Sequence, residues 1–431
     1  MTMTPPKTQL QNMAFGLLTA VLILTALEGL SWAAFEVLPP RPVLSIEDHF
    51  SKEEPPPGHQ QTAQTVRQDQ AIHPFLGYVL DPDHHSAARE PGRNPEAIAH
   101  GFPRNRHPIF HTPRSDQLVI GIFGGSVASI LANNAHRMGR KLPHLQRFAG
   151  RKLVLVNLAT GGFKQPQQLM TLAYFLSLGA HFDIVLNLDG FNDIALATTD
   201  NVDRGMYPFY PRHWDFRVSD LDPERRRRQG QIAYFQDLRT ERAERFSRAP
   251  WYFHNAARFF GEIADRRLGT RIHGLQRKLL DSGSVEGGYQ AHGPPIPFDS
   301  RQELLEGLAE LWQRSSRQMH HLATGLGIEY HHFLQPNQYL PDSKPLSSEE
   351  LDIAWKEDYP HRQLVIDGYP LLRQKGVELQ NEGIAFHDLA EIFAEEPRTV
   401  YNDTCCHLNL FGNGLLAAAI LEALETPPET L

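Results

Sequence analysis

The sequence has little cysteine and few clusters of basic residues, and each shortage excludes a class of protein. Only two cysteines occur among 431 residues, and they are neighbours, Cys405 and Cys406. A disulfide-held scaffold is therefore excluded, and we expect two buried thiols because a bridge between neighbours is strained. The net charge is −8 with acidic and basic residues mixed. The one dense basic run, Arg225–Arg228, is expected to be a solvated surface, and nothing indicates a nucleic-acid partner.

One long apolar run lies near the beginning of the chain. Met13–Val37 is almost wholly apolar and long enough to cross a bilayer, with Glu28 placed off-centre. A cleaved signal peptide is the alternative, but the preceding segment is only weakly basic. We therefore expect a single-pass signal anchor, with residues 1–12 as a cytoplasmic tail. The rest of the chain would lie on the periplasmic or extracellular side of the inner (cytoplasmic) membrane.

The segment after this run has a different composition. Residues 38–70 are rich in Pro, Gln and Glu, which predicts a stiff, solvated linker. Residues 71–431 are then expected to form one large domain. Within it, residues of about 200–300 break the strand and helix rhythm and predict a helical insertion over the carboxyl edge of a sheet.

The domain is organised around Gln117–Ser129, where an apolar β-branched run stops at Gly124-Gly125-Ser126. This predicts a buried parallel strand, a tight turn and the start of a helix. Two more strand–loop–helix units follow, with strands at 152–158 and 182–188, and later strands are predicted at 328–334 and 384–389. Helices are predicted at 129–144, 167–178, 302–326, 352–375 and 410–424. The pattern indicates an α/β fold, a parallel sheet with helices on both sides.

Four polar loops contain candidate catalytic residues, and the predicted α/β fold would bring these loops together. Ser126 would supply a nucleophile and His407 a base, while Asp403 would orient the imidazole. The amides of Ser126 and Gly162 and the side-chain amide of Asn192 would form an oxyanion hole. This set is what the cleavage of an acyl ester requires.

The ordered set resembles the SGNH (GDSL-like) hydrolase superfamily, membrane-anchored bacterial type. Its four named residues fall by motif on Ser126, Gly162, Asn192 and His407, over a stretch from about Leu118 to Leu424. The resemblance implies a three-layer α/β/α, flavodoxin-like fold. It also implies a serine esterase without a cofactor or a metal, which acts on an acylated small molecule or saccharide, such as an O-acetylated saccharide of the cell envelope.

Two departures from the family pattern leave alternatives open. The first block reads Gly-Gly-Ser, so an aspartate expected at residue 125 is missing. The acid stands four residues before His407 rather than three, so Asp403 completes a triad only if the intervening loop bulges. Otherwise the site is a dyad, or another acid such as Asp388 substitutes. Asp193 is expected to be structural.

The departures define the competing functions. A catalytically inactive SGNH-fold carbohydrate-binding or assembly protein is the alternative to an esterase, and an O-acyltransferase would share the same residues. Three histidine pairs, at 84–85, 320–321 and 331–332, are expected on surfaces or in loops rather than at a metal, because adjacent side chains point in different directions. The sequence does not indicate an oligomeric state.

Overall fold

A computed structural model of the protein describes residues 7–37, 70–83, 85–134, 146–218, 223–249, 254–281 and 288–425. The described residues fall into two compact units. One lies within Met1–Pro57 and Ser219–Glu286, and the other within Gly58–Val218 and Gly287–Leu431. Every strand among the described residues, and all of the predicted site residues, belong to the second unit.

The described part of the second unit contains seven strands, two in a hairpin and five in a parallel sheet. They are β1 (Gln70–His73), β2 (Gly77–Leu80), β3 (Gln117–Gly124), β4 (Lys152–Asn157), β5 (Ile184–Asp189), β6 (Glu329–Leu334) and β7 (Ala385–Asp388). The antiparallel hairpin joins β1 to β2. The sheet has the order β4-β3-β5-β6-β7 with every pairing parallel. The predicted α/β class and parallel sheet are therefore confirmed.

The register of the sheet positions the predicted site loops. Gly124, the last residue of β3, lies opposite Leu188 of β5, and Ile122 lies opposite Asn157 at the end of β4. All six residues of β5 are buried, as expected for a central parallel strand, and they include the polar Asn187 and Asp189. The loops after β3, β4 and β5 consequently begin side by side at one edge of the sheet.

Thirteen α-helices lie among the described residues, and these accompany the strands. They are α1 (Lys7–Val37), α2 (Pro95–Ala99), α3 (Ser126–Asn133), α4 (Gln167–Ser177), α5 (Phe191–Leu196), α6 (Trp214–Arg217), α7 (Pro223–Ser247), α8 (Asn255–Asp281), α9 (Gly288–His292), α10 (Arg301–Thr324), α11 (Ser348–Ile353), α12 (Arg362–Asn381) and α13 (Leu410–Glu425).

Two of the predicted helices differ from the structure. The single helix expected at 352–375 is wrong: α11 ends at Ile353 and α12 begins at Arg362. Pro360 explains the break, because a proline disfavours helical geometry at the residue before it, Tyr359. The helix expected at 129–144 begins earlier, at Ser126, and is described only to Asn133, since residues 135–145 lie outside the described part.

The first unit contains the apolar helix, α1, and the helices α7 and α8. Within α1, Ala14–Ala33 is long and apolar enough to cross a membrane, and a membrane anchor and a signal sequence both fit it. The helix begins at Lys7 rather than Met13. Glu28 accepts hydrogen bonds from the backbone amides of Asn255 (2.6 Å) and Ala256 (2.9 Å), so it caps α8. The predicted linker lies outside the described residues, apart from Gln70.

Candidate active site

The predicted nucleophile lies in a turn that only small residues permit. Gly124 has φ +141°, and a Cβ on it would lie 2.1 Å from the carbonyl oxygen of Leu188 in the neighbouring strand. Gly125 follows as the N-terminal cap residue of α3, and Ser126 is the first residue of that helix. The Ser126 amide is therefore one of the N–H groups that a helix leaves without an intrahelical partner.

Ser126, His407 and Asp403 form one chain of hydrogen bonds. Ser126 Oγ lies 2.8 Å from His407 Nε2, and His407 Nδ1 lies 2.5 Å from Asp403 Oδ2. The other oxygen of Asp403 accepts the backbone amides of Cys405 (2.9 Å), Cys406 (3.2 Å) and His407 (3.2 Å). This tight turn is how an acid four residues before the histidine reaches its ring, so the geometry needs neither a dyad nor Asp388.

The contacts within this hydrogen-bond chain shift the pKa values of both His407 and Asp403. Burial alone would lower the pKa of the His407 imidazole, but the hydrogen bond and charge of Asp403, together with Cys405, outweigh it and raise the pKa above its usual value. Burial raises the pKa of Asp403, but the hydrogen bonds from His407 and the backbone amides lower it further than burial raises it. Asp403 is thus an anion poised to stabilise a protonated imidazole.

Asn192 lies directly against the turn that carries Ser126. Its Nδ2 donates to the carbonyl of Phe163 (2.8 Å), which fixes the amide plane. A Cβ on Gly125 would lie 2.3 Å from the same Nδ2. The space that an aspartate would need at residue 125 is therefore filled by the Asn192 amide, which gives a physical reason for the Gly-Gly-Ser sequence.

The loop after β4, which carries Gly162, is tied to the turn that carries Ser126. Thr160 donates its amide to the carbonyl of Gly124 (3.1 Å), which ties this loop to the Ser126 turn. Gly162 has φ +81°, and a Cβ there would lie 2.2 Å from Cδ of Arg212 and 3.0 Å from Oη of Tyr78. Arg212 and Tyr78 were not predicted, and nothing in their local sequence could have indicated this contact.

Asp193 joins the loops after β4 and β5. One carboxylate oxygen accepts the amide of Gln165 (2.7 Å), and the other accepts the amide of Gly190 (3.0 Å). Burial, with the nearby charge of Asp189, raises the pKa of Asp193 to about 8. These contacts are those of a brace, as the sequence predicted for Asp193.

The loop that carries His407 is held from behind by a buried ion pair. Lys344 Nζ lies 2.8 Å from Glu350 Oε2, and both side chains are fully buried. The other oxygen of Glu350 accepts the amides of Val400 (2.9 Å) and Tyr401 (3.0 Å). Gln338 Nε2 also donates to the carbonyl of Asp403 (2.9 Å). Glu350 and Lys344 are positioning residues that the sequence analysis missed.

The histidine pair at 331–332 is not on a surface or in a loop, so that expectation is wrong. Both side chains are buried in β6. They do point in different directions: His331 contacts His387 (3.0 Å), whereas His332 contacts Asp189 (2.8 Å). Each imidazole is thus satisfied by side-chain hydrogen bonds in the core. Among the described residues, the group with metal-ligand spacing is instead Cys405, Cys406 and His407.

No protein-family model matches the chain, and no curated protein matches it significantly. The arrangement itself defines a class of site, a serine hydroxyl joined to an imidazole and a carboxylate beside amide donors, at the carboxyl edge of a parallel sheet.

Proposed function

We propose that the protein is a serine esterase of the SGNH hydrolase type, which hydrolyses or transfers a short acyl group such as acetyl. The hydrogen-bond chain from Ser126 Oγ through His407 to Asp403, with links of 2.8 and 2.5 Å, is the observation that carries the proposal. Such a chain activates a hydroxyl that is otherwise a weak nucleophile. The flavodoxin-like three-layer fold of that superfamily belongs to the same proposal.

The proposed reaction proceeds in two steps. Ser126 Oγ attacks the ester carbonyl carbon while its proton passes to Nε2 of His407, and Asp403 stabilises the resulting imidazolium. The amides of Ser126 and Gly162 and the Asn192 side chain donate to the negative oxygen. The leaving alcohol takes the proton from Nε2, which leaves the acyl group on Ser126. Water, or an acceptor hydroxyl in a transferase, then attacks the acyl carbon while His407 Nε2 takes its proton. The bond to Ser126 Oγ breaks, and the proton passes from Nε2 to Oγ to restore the hydroxyl.

The substrate and location extend the proposal. An apolar α1 that fits an anchor or a signal sequence supports an exported protein. We propose that α1 stays uncleaved in the inner membrane with the site on its outer face. An acylated saccharide of the cell envelope, such as an O-acetylated one, is then the accessible substrate.

Hydrolysis of p-nitrophenyl acetate by the full chain in detergent micelles tests this function. We expect Ser126→Ala to lower kcat/KM at least about 10³-fold, because the hydroxyl is the attacking group. The unfolding midpoint should stay at the wild-type value, because Ser126 is not fully buried. Ser177→Ala is the matched control: its exposed hydroxyl bonds only within its own helix, to the carbonyl of Ala173 (2.7 Å). Equal rates for wild type and Ser126→Ala would contradict the proposal.

The same preparation separates the alternatives. An inactive carbohydrate-binding or assembly protein would bind glycan without reacting with a fluorophosphonate probe, whereas the esterase should be labelled at Ser126. Two sequence features favoured the inactive alternative, and each has a structural explanation. Gly125 leaves room for the Asn192 amide, and the tight turn after Asp403 brings its carboxylate to the His407 ring. A rate that depends on an added saccharide acceptor would identify a transferase.

A further inference from the structure

The only two cysteines of the chain lie directly beside the proposed base. Cys405 and Cys406 are free thiols, half-buried and buried, respectively, and their sulfurs lie 3.3 Å apart. The esterase mechanism uses neither of them. Two adjacent thiols that precede the imidazole of His407 therefore need their own explanation.

The separation of the sulfurs favours a shared metal over a disulfide. A disulfide needs about 2.05 Å between sulfurs and usually has at least about 4.4 Å between Cα atoms, whereas neighbouring Cα atoms are about 3.8 Å apart, so a bridge here would be strained. Two sulfurs on one tetrahedral zinc, with bonds of about 2.3 Å, lie about 3.8 Å apart. The observed 3.3 Å is thus closer to the value for a shared ion.

A third ligand lies at the same place. Ligand atoms of Cys405, Cys406 and His407 all lie within 4.8 Å of one another. Zinc–nitrogen bonds of about 2.0–2.1 Å place nitrogen and sulfur about 3.6 Å apart, so side-chain movements of about 1 Å suffice. Two thiolates and an imidazole suit a thiophilic divalent cation and leave a fourth position open.

The backbone beneath these ligands is held in place. Asp403 Oδ1 accepts the amides of both cysteines (2.9 and 3.2 Å), and Asn337 Nδ2 donates to the carbonyl of Cys405 (3.3 Å). Binding would therefore require side-chain rotation rather than loop rearrangement, which lowers its cost.

We propose that Cys405, Cys406 and His407 form an inhibitory site for a thiophilic divalent cation, such as Zn²⁺ or Cd²⁺. The two thiols release their protons to solvent as the metal–sulfur bonds form. His407 has no spare nitrogen, since Nε2 contacts Ser126 and Nδ1 contacts Asp403. A metal on either nitrogen breaks one link of the chain. The inhibition rests on the proposed esterase function, whereas the binding does not.

Titration of the full chain in detergent micelles with Cd²⁺ tests the binding. We expect one ion per chain and an ultraviolet sulfur-to-cadmium charge-transfer band. Cys405→Ala and Cys406→Ala should each weaken binding at least about 100-fold, because each removes a ligand. Cys405 is the half-buried member, so its variant remains informative if the Cys406 variant does not fold. His407→Ala should weaken binding but keep the band. Absence of the band in wild type, or an unchanged band in Cys405→Ala, would overturn the site.

The inhibition is measured separately, as the esterase rate of wild type and of the two cysteine variants with Cd²⁺, each relative to its own metal-free rate. Wild type should lose activity in step with the band and regain it on addition of a chelator, and Cys405→Ala should resist. Stoichiometric binding without loss of rate, or equal sensitivity in Cys405→Ala, would overturn the inhibitory role. A cysteine-dependent band in a protein without any esterase activity would refute the proposed function and leave the metal site standing.

Discussion

Ser126, Gly162 and Asn192 lie just past the ends of β3, β4 and β5, whereas His407 and Asp403 lie well beyond the end of β7, in a loop held by side chains. Around Ser126, Gly162 and Asn192, which we call the sheet side of the site, shape decides the geometry. Gly124 lets the Leu188 carbonyl approach, and Gly125 lets the Asn192 amide approach, to distances that no side chain would permit. Around His407 and Asp403, which we call the loop side, charge decides the geometry, through the buried Lys344–Glu350 ion pair behind the loop.

The comparison teaches that one site can depend on two kinds of rigidity. A parallel sheet fixes its loop positions through backbone hydrogen bonds, so the loops need only small residues at close contacts. A loop without a strand must satisfy its own amides, and here Glu350 and Asp403 accept five of them. The two sides should therefore fail under different substitutions.

The largest effect should come from adding one methyl group on the sheet side. Gly124→Ala places a Cβ 2.1 Å from the Leu188 carbonyl at a φ of +141°. We expect a loss of at least about 4 kcal/mol in the free energy of unfolding, because β3 and β5 would have to separate. Gly161→Ala is the control, with nothing within 4 Å of its Cβ, and should change stability by less than about 1 kcal/mol. Equal denaturant midpoints for the two variants would contradict this reading of the sheet side.

The loop side should instead fail on loss of a charge. Glu350→Gln keeps the shape but leaves Lys344 buried without its counter-charge, which should cost about 3–5 kcal/mol in unfolding free energy. Esterase activity should fall as well, because the amides of Val400 and Tyr401 lose their anionic acceptor.

Glu349→Gln is the matched control for this substitution. Its carboxylate is exposed and accepts only from the Thr399 hydroxyl (2.6 Å), so stability should change by less than about 0.5 kcal/mol. If Glu349→Gln were as damaging as Glu350→Gln in chemical denaturation, the buried pair would not be what holds the loop.

The sequence predicts the sheet side better than the loop side, for a physical reason. Apolar runs that end in glycines are local patterns, so β3, β4 and β5 and the residues at their ends could be identified directly. The anchor of the His407 loop joins Glu350 to Val400, and no local pattern indicates a contact across that separation. The expectation for His331 and His332 was wrong for the same reason, because the sequence around a polar residue in a strand does not show which distant side chains will bond to it in the core.

The spacing of Asp403 is an intermediate case. Asp403 and His407 are close in sequence, yet whether the carboxylate reaches the ring depends on a turn closed by three backbone amides. The sequence indicated both Asp403 and His407 but did not show whether their side chains make contact. A local pattern thus gave the candidates, and only the folded loop gave the pairing.

The smallest expected effect is a shift of the pH profile, and it bears on the charged side alone. A protonated imidazole cannot accept the Ser126 proton, so esterase activity should be lost as pH falls through the raised pKa of His407, above 6.5. The ionisable groups facing this ring are Asp403 and Cys405. Asp403→Asn removes the charge and leaves at most a neutral hydrogen bond in place of the charge-assisted one that raises the pKa of His407. The pH midpoint, normalised to the variant's own plateau, should therefore move to lower pH.

Asp388→Asn is the control for this shift, because Asp388 pairs with Arg373 (2.5 Å) and caps the amide of Ala390 (3.0 Å) rather than touching the imidazole. Its pH midpoint should equal that of wild type. A midpoint that moves for Asp388→Asn and stays for Asp403→Asn would show that Asp388, rather than Asp403, orients the imidazole. In that case charge would still govern the loop side of the site, but it would act from the end of β7, and the contrast between sheet and loop would lose its sharpest example.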